Sequence, residues 1–152
     1  METHLNTNLL FLLLILIIAG CQSSSTKVSE TQNVNNSLYL QLGGQETVNI
    51  AIISMVKRLH NDERLSELFN DVNDIELIQN FNDFICQLTG GGCEYQGATM
   101  EDIHTGLSIS KAEFDRFVSM FIFSMQDANI AFPAQNKLLD KLAGLRDEVI
   151  EL

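Results

Sequence analysis

The chain has 152 residues, a net charge of −11, one proline and no tryptophan. This length accommodates one folded domain around a single hydrophobic core. The acidic excess argues against nucleic acid as a partner, because such binding needs a basic face, and the sequence offers no basic patch for anionic lipid.

Residues 1–20 are predicted to be a signal peptide that is not part of the fold. An unbroken run of eleven apolar residues extends from Leu9 to Ala19. This run is shorter than the roughly 20 residues that span a bilayer, but it suits the apolar core of a signal peptide. Unlike most leaders, it is preceded by no lysine or arginine.

The sequence Ile18-Ala19-Gly20-Cys21 resembles the lipobox of bacterial lipoproteins. The resemblance implies cleavage before Cys21, with a thioether diacylglycerol and an N-acyl chain attached to that cysteine. Several acyl chains would hold the exported protein firmly on a membrane. Gln22 resembles the following residue of lipoproteins sorted to the periplasmic side of an outer membrane, if the host has one. An ordinary cleaved signal peptide and an uncleaved anchor are the alternatives.

Residues 21–36 are predicted to be a lipidated N-terminus and a flexible tether. The segment from Gln22 to Asn36 is mostly serine, threonine, asparagine and glutamine, with almost nothing to bury. A flexible segment of this length has a root-mean-square reach of roughly 20 Å. The folded domain is therefore expected to comprise residues 37–152.

Helical periodicity in the apolar residues predicts an all-α domain. No strand-like alternation and no internal repeat stands out. For most of these residues, core packing is sufficient explanation. The four apolar stripes are Val48, Ile52, Met55, Val56 and Leu59; Leu77, Phe81, Phe84, Ile85 and Leu88; Phe114, Phe117, Val118, Phe121 and Met125; and Leu138, Leu142, Leu145 and Val149.

Helix boundaries are also marked in the sequence. Two pairs have capping-box spacing, Pro133 suits the first turn of the last helix, and two glycine runs suit breaks between helices. The pairs are Asn73 with Glu76 and Ser110 with Glu113, and the runs are Gly43-Gly44 and Gly90-Gly91-Gly92.

Two histidines follow the predicted leader, and His104 is the candidate functional residue. His60 lies among charged residues at a predicted helix end, which indicates the surface. On a helix, His104 would share an apolar face with Met100 and Leu107. A neutral imidazole there is either a core histidine with a satisfied hydrogen bond or a ligand.

The order of these segments resembles that of the group I truncated haemoglobins, from about Leu38 to Val149. The resemblance implies a two-over-two helical sandwich around one haem b. The segments that carry it are Leu38-Tyr39-Leu-Gln-Leu42-Gly43-Gly44, Asp62-Glu-Arg-Leu65-Ser-Glu-Leu68-Phe69, Leu88-Thr-Gly90-Gly91, Tyr95-Gln-Gly97-Ala-Thr-Met100 and His104-Thr-Gly106-Leu-Ser-Ile109-Ser110.

The resemblance also implies roles for individual residues. His104 matches the proximal ligand of the haem iron, whose other ring nitrogen should donate to a backbone carbonyl. Phe69 matches the phenylalanine that packs on the porphyrin, although it could equally be a core aromatic. Tyr95 matches an aromatic at the haem edge in relatives, and its alternative role is to anchor the loop.

The predicted gas pocket departs from the family pattern. Relatives usually place a tyrosine where this chain has Val56, and often a glutamine where it has Phe81. With Leu77 at the neighbouring position, the pocket is expected to be apolar and to release dioxygen fast. Gln79 or Asn80 could supply a hydrogen-bond donor if the helix were rotated, but solvent-facing amides are the preferred interpretation.

Cys86 and Cys93 leave two alternatives open, a disulfide in an exported protein or a buried thiol on a helix. Covalent haem attachment is not expected, because the chain has no Cys-x-x-Cys-His motif.

Three functional hypotheses follow. The favoured one is a haem protein that carries or senses dioxygen, nitric oxide or carbon monoxide at a membrane and is not itself an enzyme. The second is a redox enzyme that removes nitric oxide or peroxide with electrons from an unknown reductase. The third is a haemless helical lipoprotein that serves as an interaction module.

Overall fold

The computed structural model describes residues 37–150 and residue 152. The predicted signal peptide, the predicted lipidation site at Cys21 and the predicted tether lie outside the described residues. Within the described part of the chain every regular element is helical, as the apolar periodicity predicts.

The helices follow one another with short connections. They are α1 (Leu38–Gln41), α2 (Gly44–His60), a 3₁₀ helix (Ser66–Phe69), α3 (Asp74–Leu88), α4 (Met100–His104), α5 (Lys111–Asp127), α6 (Phe132–Ala143) and a second 3₁₀ helix (Arg146–Glu148).

Helix α2 is the centre of the domain, and it packs against both α3 and α5. All five residues of its predicted apolar stripe are buried. Helix α6 packs against α5, and the short helix α1 bridges α2 and α6. The four long helices therefore surround one core, to which the apolar faces of α3 and α5 contribute.

The predicted helix starts are confirmed. The side chain of Asn73 accepts hydrogen bonds from the backbone N–H groups of Ile75 and Glu76 at the start of α3. Ser110 and Glu113 form a reciprocal capping box at the start of α5. These caps satisfy N–H groups that the first turn of a helix leaves without partners.

One prediction is wrong at the C-terminal end of the domain. The fourth apolar stripe predicts a helix that reaches Val149, but α6 ends at Ala143. Gly144 follows, and glycine costs about 1 kcal/mol relative to alanine within a helix. The chain continues as the second 3₁₀ helix, which leaves Leu145 and Val149 half-buried outside α6.

A buried carboxylate joins the end of α2 to α5. The side chain of Asp62 is 3% exposed and forms an ion pair with Arg116, whose Nε donates to it over 2.8 Å. It also accepts the backbone N–H groups of Arg64 and Leu65. The hydrogen bond from Arg116 is the main reason that the pKa of Asp62 is lowered.

The chain enters the domain beside the end of α3. Ser37 caps α1, and the backbone N–H of Tyr39 donates to the carbonyl oxygen of Thr89 over 3.0 Å. The Tyr39 ring is buried, and burial raises the pKa of its hydroxyl, with a further increase from the negative charge of Asp83.

Candidate functional site

His104 lies in the last turn of α4, and the fold orients its ring through the backbone. Its Nδ1 is 2.7 Å from the carbonyl oxygen of Met100. A carbonyl oxygen only accepts, so Nδ1 carries the proton and the neutral ring has a lone pair on Nε2. Within the described residues, Nε2 of His104 has no hydrogen-bond partner.

Helix α4 is short, and contacts at both of its ends hold it in place. The side chain of Thr99 accepts the backbone N–H of Asp102 over 3.1 Å and caps the first turn. After the helix, the N–H of Gly106 donates to the carbonyl oxygen of Leu152 over 3.2 Å. The second 3₁₀ helix packs against α4.

The surface next to His104 is apolar. Ile103 is 45% exposed and Leu107 is 43% exposed, although aliphatic side chains of this size are usually buried. His104 itself is half-buried. A half-buried imidazole with exposed aliphatic residues close to it in the chain suits a flat apolar ligand that contains a metal.

Helices α3 and α5 present further apolar side chains that are only half-buried. On α3 these include Leu77, Phe81 and Phe84, and on α5 they include Phe114 and Phe117. The Phe81 ring lies 6.4 Å from the Phe117 ring. Phe81 of the predicted gas pocket therefore packs against aromatic residues of α5.

The remaining predicted residues of the site are distributed around the core. Val56 is only 3% exposed and belongs to the buried core, while Phe69 packs partly buried against it. Gln79 and Asn80 are exposed, which agrees with the interpretation of solvent-facing amides; whether either enters the gas pocket stays a prediction. The half-buried amide of Asn82 on α3 donates to Asn49 over 2.9 Å and to the Ile78 carbonyl oxygen over 2.8 Å.

A groove of about 300 Å³ lies between α2 and α3. Its walls include Val56 and Ile78, and no residue of α4 lines it. At its rim, Nε2 of His60 is 2.7 Å from a carboxylate oxygen of Asp74, and both side chains are substantially exposed. His60 is therefore a surface residue, as predicted.

Cys86 and Cys93 form a disulfide, with their Cα atoms 5.6 Å apart. Of the two alternatives that the sequence left open, the structure therefore has the disulfide.

Tyr95 shows the contacts of a loop anchor: its hydroxyl donates to the carbonyl oxygen of Ala98 over 2.9 Å, and its ring meets Phe84 edge-on at 5.5 Å. Sequence reasoning missed Gln87, whose side-chain oxygen accepts the Tyr95 N–H over 2.6 Å.

Two further observations concern metal ligands and membrane-spanning helices in the described part of the chain. No group of three or more histidine, cysteine, aspartate or glutamate side chains in residues 37–150 could hold a metal ion. None of the helices in that part of the chain has both the length and the apolar character needed to cross a membrane. A metal at His104 would therefore need most of its other ligands from a cofactor.

The model of the bacterial-like globin family matches residues 37–151, about three quarters of the chain. The chain belongs to the bacterial-like globin family. This globin is 21% identical to the group 1 truncated hemoglobin of Tetrahymena pyriformis over 118 residues, which cover 78% of this chain and 98% of that protein. It is 26% identical to the group 1 truncated hemoglobin of Mycolicibacterium paratuberculosis over 113 residues, which cover 74% and 83% of the two chains.

Solved structures show the fold of this globin. The crystal structure of the Tetrahymena pyriformis truncated hemoglobin in its Fe(III) form superposes with a TM-score of 0.73 at 20% identity, covering 77% of this chain and 100% of that one. The 2/2 hemoglobin of a Synechococcus species, in the cyanomet state with covalently attached heme, gives 0.71 at 21% identity, covering 76% and 99%. The predicted two-over-two truncated globin fold is confirmed.

Proposed function

We propose that this globin binds haem b through His104 and binds a diatomic gas on the opposite face of the haem. The gas is dioxygen, nitric oxide or carbon monoxide. The hydrogen bond from Nδ1 of His104 to the Met100 carbonyl carries the proposal. In the neutral ring this bond selects the tautomer with the lone pair on Nε2, and it fixes the ring plane; both are required of a proximal ligand to haem iron.

The side chains around His104 fit the porphyrin. Ile103 and Leu107 are large exposed hydrophobic residues that a haem would cover, and covering apolar area stabilises a complex by about 25 cal/mol per Å². Phe69 and the half-buried aromatic residues of α3 and α5 would supply the remaining apolar contacts. When bound, the haem supplies an iron atom with one coordination position open to a gas.

We assign the gas pocket to Val56, Leu77 and Phe81. These side chains are hydrocarbon only, so a gas that becomes partly negative on binding receives no hydrogen bond from them. One hydrogen bond contributes about 0.5–1.5 kcal/mol, which corresponds to as much as roughly tenfold in affinity. Dioxygen should therefore leave this pocket faster than it leaves a pocket with a donor, which favours a gas-binding role over dioxygen-dependent enzyme chemistry.

The N-terminal sequence supports a location for this activity. We propose that residues 1–20 are removed and that acyl chains on Cys21 anchor the exported globin to a membrane, through the tether of residues 21–36. This would be the periplasmic side of an outer membrane if the host has one. Mass spectrometry of the mature protein tests the anchor, because an unmodified Cys21 would contradict it.

Optical spectra of the ferric, ferrous and carbon monoxide forms test the haem assignment. The wild type and His60→Ala should show a Soret band, since His60 is a surface residue, whereas His104→Ala should lose it. A wild type without a Soret band would favour the haemless interaction module. An unchanged spectrum of His104→Ala would contradict the assigned ligand. Rapid turnover of nitric oxide or peroxide with an electron source would favour a redox enzyme.

A further inference from the structure

Three contacts attach the segment that leads to His104 to the last turns of α3. We call this set of contacts the loop clamp: Phe84, Cys86 and Gln87 on α3, and Cys93 and Tyr95 on the loop. A disulfide, an edge-on ring contact and a hydrogen bond to the Tyr95 N–H make up the clamp. The contacting residues lie within positions 84–87 of α3 and positions 93–95 of the loop.

The covalent part of the loop clamp spans the glycine run. Cys86 is 1% exposed, whereas Cys93 is exposed. Between them, a Cβ at Gly91 would overlap the Cys86 sulfur and the Tyr39 ring. The chain therefore turns tightly over the buried cysteine before it reaches the exposed one.

The rest of the loop clamp connects directly to α4. The Tyr95 hydroxyl donates to the carbonyl oxygen of Ala98, and a Cβ at Gly97 would overlap the Tyr95 ring. Thr99, which directly follows Ala98, is the N-cap of α4. A short series of contacts thus leads from the disulfide through Tyr95 to the helix that carries His104.

We propose that the loop clamp positions His104, and that the Cys86–Cys93 disulfide is a thiol-sensitive element that determines how firmly His104 is held. This inference rests on the proposed haem site. With the disulfide intact, α4 is attached at both ends, through the loop clamp and through the C-terminal contact of Gly106. With the disulfide open, only noncovalent contacts hold the loop to α3.

The opening reaction needs a dithiol reductant. One thiolate of the dithiol attacks the sulfur of Cys93, the more exposed residue of the pair, the bond to Cys86 breaks, and Cys86 leaves as a thiolate that takes up a proton. The second thiolate of the dithiol then attacks the mixed disulfide and releases Cys93 as a thiol. Two electrons and two protons reach the protein cysteines, and the dithiol becomes a disulfide.

Cys93→Ser in the full-length chain tests the inference, because it breaks the disulfide and leaves the buried Cys86 in the core. We expect haem transfer from the ferric protein to an apoglobin acceptor to accelerate about tenfold, because an open disulfide no longer restricts the segment that leads to His104. The iron–histidine stretching band of the ferrous protein should shift or broaden. Reduction of the wild type with dithiothreitol should reproduce both effects, and reoxidation should reverse them.

Hydrogen exchange separates the inference from the haem proposal. In the apoprotein, Cys93→Ser should accelerate amide exchange in residues 93–104 more than in α6, where only the change in global stability acts. Gln87→Ala keeps the disulfide and should accelerate exchange at the Tyr95 amide. Unchanged exchange in residues 93–104 after reduction would overturn the loop clamp, whether or not haem binds. Faster exchange without any haem binding would support the loop clamp and overturn the haem proposal alone.

Discussion

Nδ1 of His104 lies 2.7 Å from the carbonyl oxygen of Met100, one turn earlier in the same short helix. The orientation of the ring is therefore set by α4 itself and does not depend on a bound ligand. A helix of five residues has little stability of its own. The contacts that maintain α4 should consequently control how well His104 functions.

Removal of the N-cap of α4 should weaken the site. Thr99→Ala leaves the Asp102 N–H without its side-chain acceptor, and loss of such a cap costs about 0.5–2 kcal/mol. Haem transfer to an acceptor globin should accelerate about fivefold, because loss of roughly 1 kcal/mol of cap stabilisation favours the released state of α4 by about that factor. Thr105→Ala is the control, since its hydroxyl donates to the Glu101 carbonyl and caps no N–H. Equal rates in the two variants would contradict this explanation.

Introduction of a donor into the proposed gas pocket should slow dioxygen release. Leu77→Gln keeps the approximate volume of a half-buried side chain and adds an amide N–H. Release from the ferrous protein, measured by stopped flow, should slow by as much as roughly tenfold. Gln79→Ala removes an amide that is already exposed and should have no effect. A slow wild-type rate that Gln79→Ala accelerates would refute the apolar pocket.

Acid should reduce stability partly through Asp62. Its pKa is lowered from the ordinary value of 3.8, chiefly by the hydrogen bond from Arg116. A lowered pKa in the folded state stabilises the fold above that ordinary value, and the stabilisation is lost as the pH falls through the folded pKa. Asp62→Asn does not titrate. Urea unfolding should therefore show the wild type as the more stable protein at about pH 6, with a difference that shrinks toward about pH 3.

Loss of the disulfide should also lower global stability. Cys86 and Cys93 are separated by 7 positions in the chain, and a cross-link over a loop of this size stabilises by about 2 kcal/mol in the chain-entropy treatment. Urea unfolding of Cys93→Ser should show this decrease under oxidising conditions. Addition of dithiothreitol should remove the difference between the variant and the wild type. A difference that persists in reductant would mean that the serine itself perturbs the fold.

Local signals in the sequence predicted much of the fold. The apolar stripe of α2 marks a helix that is buried along one side, and Ser110 with Glu113 marks the start of α5 because both partners are close in sequence. The predicted extension of α6 to Val149 was wrong. The apolar spacing continues through Leu145 and Val149, and the prediction gave this spacing more weight than the helix-breaking Gly144. Periodicity records which side chains are buried, and residues of a 3₁₀ turn can be buried as well.

The site was predictable where one residue carries the signal. The expected bond from the second nitrogen of His104 to a backbone carbonyl is present, and its partner is the residue four positions earlier. The hydrogen bond between Gln87 and Tyr95 could not be derived in the same way. Their contact depends on how the glycine run folds back on α3, and no pairwise spacing in the sequence encodes that path. Haem contacts of Val56, Phe69 and Phe81 stay predictions.

The hydrogen bond between the Tyr39 N–H and the Thr89 carbonyl has a mechanical consequence. The chain enters the domain at Ser37, next to the end of α3 and to Gly90. Tension applied through the preceding residues would load this bond first, and then the turn over Cys86. The Cys86–Cys93 disulfide is close to this point, because Gly91 lies against both the Tyr39 ring and the Cys86 sulfur. The disulfide would confine the deformation to the residues around Ser37 and Tyr39, and the segment that carries His104 would keep its position under tension.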